Sequence, residues 1–134
     1  AAPGDLTSHS CLTFAFADGA RRWRFTQGER VEQVRARGPL RANQAEALKE
    51  AALAGFGVVM LPTWLVGEEI AQGSLRPILA EWQADIARPG TPPQGDGGIH
   101  ALYLPDRRSS PKVRAFVDFL AQRFGSPPYW DRAL

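Results

Sequence analysis

The apolar positions of this chain change period several times, and each change marks an element. Cys11–Phe16, "CLTFAF", is a short apolar, β-prone run, and Asp18-Gly19 after it is a turn signal. "RWRFTQ" alternates, so Trp23 and Phe25 share one face of a strand. Gly28 breaks that run. "ERVEQVRARGPL" reads as a further strand, with Val34 and Ala36 on one face and Arg35 and Arg37 on the other. The period then lengthens. Asn43 is a good N-cap with Glu46 three residues on, which predicts a helix carrying Leu48, Ala51, Ala52 and Gly55 on one face. Gly55 and Gly57 end it, and "VVML" (Val58–Leu61) reads as a strand covered on both faces. Pro62 stops that strand, Thr63 caps a helix from about Trp64 to Gln72, and "LRPIL" (Leu75–Leu79) is predicted as the next strand.

Beyond this point Ala84–Gly98 is rich in proline and glycine and reads as a linker. "IHALYLP" (Ile99–Pro105) alternates and is predicted as a strand. Ser110-Pro111 opens a last helix whose apolar stripe is Val113, Phe116, Val117, Leu120 and Phe124. Helix, strand, helix, strand with short joints predicts an α/β class with parallel pairing. The glycines of "GFG" follow a helix and precede a strand. A phosphate-cradling loop has the reverse order, so "GFG" is read as a cap and close-packing device.

Composition narrows the function classes. The 134 residues suffice for one domain with a core, and 44% hydrophobic and 22% charged residues are ordinary for a soluble globular protein. A net charge of +2 does not by itself imply nucleic acid. No run of about twenty apolar residues is present, so no membrane helix is expected. The start "AAPGDLTSHS" is no intact signal peptide and lacks an initiator Met; a processed chain, or a piece of something longer, is expected. One cysteine, Cys11, excludes an internal disulfide, fits a reducing compartment, and is read as a small buried hydrophobe.

Catalytic motifs are missing: there is no G-x-S-x-G, H-E-x-x-H, C-x-x-C or P-loop. A thiol pair of Cys11 with His9 or His100 is conceivable, but nothing marks an orienting carboxylate or oxyanion hole. One cysteine and two scattered histidines do not make a zinc site. Glu68-Glu69 is read as lying on a solvated helix face. The arginines Arg21, Arg22, Arg24, Arg35, Arg37 and Arg41 beside Trp23 and Phe25 invite a nucleic-acid reading. The plainer reading is a solvated sheet face balanced by Glu29 and Glu32, with the aromatic residues in the core.

A set of pieces in one order points further. "DLTSHSCLTF", "WRF", "VRARGPLRANQAEALKEAALAGFGVVMLPTWLVGEEIAQGSLRPIL" and "IHALYLPDRRSSPKVRAFVDFLAQRFG" closely resemble the C-terminal part of LysR-type transcriptional regulators. The resemblance implies a lobe like those of type II periplasmic binding proteins: α/β, with a mixed, mostly parallel sheet flanked by helices. It implies residues 1–105 as a second lobe and 106–134 as a return segment and terminal helix that pack on a first lobe. It implies no enzyme, no cofactor and a cytoplasmic, effector-sensing role. The effector is expected to be a small, anionic organic molecule, and the assembly a homodimer or homotetramer. Exchange of the Ser110–Phe124 helix between chains is one expected form of that association. DNA is expected to be contacted only through an N-terminal winged helix absent from this chain, with no membrane partner. Carried onto matching positions, the effector contacts implied are Thr13, Phe14, Ala15, Asn43, Phe56, Gly57 and Val58, with Arg41 as the anion partner. A solute-binding receptor of the same fold, and a nucleic-acid module through the arginine-rich strands, are the alternatives.

Overall fold

The computed structural model describes residues 1–15, 22–86, 100–107 and 110–132. A short 3-10 helix, Pro3–Ser8, leads into β1 (Cys11–Phe14). Then come β2 (Arg22–Gln27), β3 (Arg30–Arg35), β4 (Arg41–Ala42), α1 (Ala45–Leu53), β5 (Val58–Val59), α2 (Thr63–Ala71), β6 (Gln83–Ile86) and α3 (Pro111–Phe124). The strands form two sheets. One is parallel, in the order β4-β1-β5; the other is antiparallel, in the order β3-β2-β6. The expected parallel pairing is present, and the antiparallel strands are set apart from it in a sheet of their own.

Central β1 explains its own sequence. Cys11, Leu12 and Thr13 are all at most 3% exposed, because this strand has a neighbour on each side and cover on both faces. The role of covered strand, expected for Val58–Leu61, therefore belongs to β1. β5 is shorter and lies at the margin, with Val58 and Val59 only half-buried. The hydrophobic core sits where the two sheets meet. Leu6 and Cys11 pack with Trp23, Phe25, Val34, Ala36 and Trp82. The alternation of "RWRF" and of Val34 with Ala36 is thus the inward face of the antiparallel sheet.

Five expected features differ. Leu75–Leu79 is no strand: Pro77 lacks an N–H for a ladder, and Leu79 takes a left-handed turn (φ 55°) whose carbonyl accepts from Trp82 N. The stretch from Ala84, read as linker, instead begins inside β6, which forms by pairing with β2 across sixty residues of chain; residues 87–98 of that stretch lie outside the described residues. His100–Leu104 joins no ladder among the described residues, and Ile99 lies outside them. Asn43 is not the cap of α1. Gln44 is, and its carbonyl accepts the Leu48 N–H; no side chain caps the helix. Likewise Thr63 is the first residue of α2 rather than its cap, which is Pro62. The Asp18-Gly19 turn, Phe16 and Arg21 lie outside the described residues.

α3 begins at Pro111, as expected, and is capped by Gly125 (φ 81°), yet none of its residues is buried. Beyond it a 3-10 turn, Tyr129–Asp131, returns to α2. There Gly67 makes room: a Cβ on it would stand 2.2 Å from the Trp130 carbonyl oxygen. Trp130 also meets the rings of Phe124 and Tyr129 edge-on, with centroids 5.0 and 4.8 Å away.

Candidate functional site

In a parallel sheet the loops that leave the strands gather at the carboxyl end, and the loops that enter them gather at the other. The pairing register places the expected site residues by this rule. β1 leaves the sheet at Phe14 and Ala15, and β4 leaves it at Ala42 and Asn43; Thr13 pairs with Arg41, and Phe14 with Ala42. Backbone bonds lock the two exits side by side: Thr13 N donates to Leu40 O (3.2 Å) and Ala15 N to Ala42 O (3.0 Å). Thr13 is buried and Phe14 half-buried, while Ala15, Arg41 and Asn43 are exposed. α1 starts two residues after Asn43, so its first N–H groups face the same end. Glu46, in the first turn, offsets part of that positive end, and Arg41 is the cation that β4 adds there.

Phe56, Gly57 and Val58 lie elsewhere. They enter β5 at the amino end, where Val58 pairs with Cys11 and Val58 N donates to Ser10 O (2.8 Å). Gly57 (φ 149°) presses its backbone onto Ser10; a Cβ there would stand 2.1 Å from the Ser10 carbonyl oxygen. Gly38 does the same to Cys11 at 2.1 Å. The structure therefore groups Thr13, Phe14, Ala15, Arg41 and Asn43, and separates Phe56, Gly57 and Val58 from them by the length of the sheet. The counterpart of β5 at the carboxyl end is its exit, Met60 to Thr63, which leads into the start of α2. That segment is not among the expected contacts, although a strand followed by proline and a helix start is the signal for it.

Two ion pairs brace the surroundings. Lys49 Nζ meets Glu69 Oε1 at 2.6 Å, tying α1 to α2, the two helices that begin at the carboxyl end. The hydrogen bond from Lys49 holds the Glu69 carboxyl below its ordinary range, and the same bond raises the lysine. Glu69 is thus part of a packed pair, not of a solvated face; its Oε2 is buried with no hydrogen-bond partner among the described residues. Arg24 also departs from the solvated reading. It is 7% exposed and grips Asp85 with two bonds, Nε to Oδ1 (2.9 Å) and Nη2 to Oδ2 (2.7 Å), across β2 and β6. With Trp23 and Phe25 facing the core and Arg24 engaged, β2 offers nucleic acid neither a stacking face nor this guanidinium.

Cys11 is fully buried, and burial raises its thiol, outweighing the hydrogen bond from the Arg37 backbone. Its Sγ meets the carbonyls of Leu6 and His9, both at 3.6 Å, while the His9 ring turns to Ser8 Oγ. The thiol faces carbonyls rather than a base, so no activated nucleophile is built here. Among the described residues no group of three His, Cys, Asp or Glu side chains gathers to hold a metal, and no helix is long and apolar enough to cross a membrane.

The family model for the LysR substrate binding domain matches residues 1–125. The chain belongs to the LysR substrate-binding domain family. This is a regulatory, non-enzymatic family with the α/β fold of periplasmic binding proteins. Among its relatives are two HTH-type transcriptional regulators. PtxR of Pseudomonas aeruginosa is 37% identical over 107 residues, which are 80% of this chain and 31% of PtxR. CrgA of Neisseria meningitidis serogroup B is 29% identical over 122 residues, 91% of this chain and 38% of CrgA. The chain thus spans about a third of the length of the curated relatives it matches. Solved structures agree on the fold. The regulatory domain of AphB from Vibrio vulnificus superposes with a TM-score of 0.52 at 25% identity, covering 62% of this chain and 45% of that one. Full-length Vibrio cholerae AphB, a virulence activator of the LTTR family, gives 0.52 at 22% identity, covering 60% of this chain and 27% of that one.

Proposed function

We propose that this LysR-family lobe is the effector-sensing part of a longer transcriptional regulator. A small organic anion is bound at the carboxyl end of the parallel sheet. Arg41 supplies the charge, Asn43 and the first amides of α1 supply donors, and Thr13, Phe14 and Ala15 form the wall beside them. Residues 1–105 act as the second lobe and residues 106–134 as the return segment. DNA is contacted by a helix-turn-helix part of the whole protein, as the names of the relatives suggest, and the regulator works as an oligomer in the cytoplasm. The observation that carries this reading is the register of β1 against β4, which sets an exposed arginine, an amide side chain and a helix start at one sheet end.

The test is a thermal-shift and calorimetric screen of the chain against small mono- and dicarboxylates, repeated with Arg41→Ala. The expected result is at least one carboxylate that binds the native chain about tenfold more tightly than the variant, at equal unliganded stability, as loss of a charge-assisted bond implies. A carboxylate that binds both equally removes Arg41 from the site.

A further inference from the structure

Gly67 stands in the middle of α2, where glycine weakens a helix relative to alanine. Its use here is steric. The backbone of Trp130 lies against it, and any Cβ at this position would stand 2.2 Å from the Trp130 carbonyl oxygen. The turn Tyr129–Asp131 is thus seated on α2 by shape. Among the described residues no hydrogen bond or ion pair joins the turn to α2; the Asp131 N–H is used within the turn, donating to Pro128 O (2.9 Å). To α3 the same turn is fastened by rings. Trp130 meets Phe124, the last residue of α3, edge-on at 5.0 Å, and the Arg123 guanidinium lies 5.6 Å from the centre of the Tyr129 ring. The two joints therefore differ in kind. One is a set of attractive ring contacts, and the other is a backbone seat that a single methyl group removes.

α2 is in extended contact with this turn rather than with α3 itself, so the turn is the link between the two helices. α2 begins at Thr63, at the carboxyl end of the parallel sheet. A line of contacts thus runs from that end along α2 to Gly67, through Trp130 to Phe124, and into α3. The family match ends at residue 125 and does not account for the turn. We propose that residues 126–131 are a strap that sets the direction of α3 against α2 and opens at the Gly67 seat. Closed, the strap carries a shift of α2 to α3. Open, it stays with α3, which swings while the rest of the lobe remains folded. Nothing in this device depends on what binds at the carboxyl end.

Spin labels on Ala71→Cys at the end of α2 and Ala115→Cys in α3 read the strap by pulsed electron spin resonance. Both positions are exposed, and the native Cys11, fully buried, stays unlabelled. With the strap intact one narrow distance distribution is expected. Gly67→Ala adds the methyl group that the seat excludes, in a residue that favours the helix. It is expected to keep the helix content seen by circular dichroism while the distance distribution becomes about twice as wide. Trp130→Ala loosens the other joint without adding anything against α2, and is expected to widen the same distribution. A distribution already broad with the strap intact overturns the proposal, as does one that stays narrow in Gly67→Ala. Should Gly67→Ala lose helix content, Trp130→Ala decides, and a narrow distribution in that variant overturns the proposal.

Discussion

The two ends of the parallel sheet are built from different chemistry. At the amino end, Gly38 and Gly57 bring backbone onto backbone, each leaving no room for a Cβ against Cys11 or Ser10. At the carboxyl end the strands open outward, with Ala15, Arg41 and Asn43 exposed beside the start of α1. One end is closed by contact, and the other presents donors and charge to whatever approaches. The difference teaches that glycines near a sheet are not evidence of a ligand loop: in this chain they mark the end where nothing else fits.

Substitutions can break this contrast from either side. Gly57→Val has the largest expected effect, because a branched side chain meets both the left-handed φ of 149° and the Ser10 carbonyl. A loss of roughly 3–4 kcal/mol in unfolding free energy is expected from urea denaturation. Gly38→Ala carries the steric part alone and should cost about 2 kcal/mol in the same measurement. Arg41→Ala, at the open end, should leave unfolding within about 0.5 kcal/mol of native. The smallest effect concerns pH. Lys49 holds the Glu69 carboxyl below its ordinary value, so the pair stabilises the folded chain above about pH 4.3 and that contribution is lost as pH falls further. Glu69→Gln should therefore flatten the acid limb of the stability profile measured by denaturation at stepped pH, with no comparable change near neutrality.

The sequence announced its elements where local chemistry decides them. β1, β2 and β3 follow from apolar runs and alternation, α3 from Ser110-Pro111 and its stripe, and the end of α1 from Gly55, at positive φ. It was silent where a distant partner decides. Gln83–Ile86 holds a residue as poor in strands as Asp85, and becomes β6 through Arg24 on β2. Leu75–Leu79 looks like a strand until Pro77 and the turn at Leu79 are weighed. The placement of the candidate site residues was half readable. Thr13 to Ala15 and Arg41 to Asn43 fall together because β1 and β4 run parallel in register. Phe56 to Val58 looked close to them only because sequence order conceals which end of a strand a loop enters.

The most direct test of the central claim is an amide chemical-shift titration of the native chain with the carboxylate that screening finds to bind. The account predicts shifts concentrated at Thr13–Ala15 and Arg41–Ala45, with Ser10 and Gly57 unmoved. Shifts centred on Ser10 and Gly57 would contradict it.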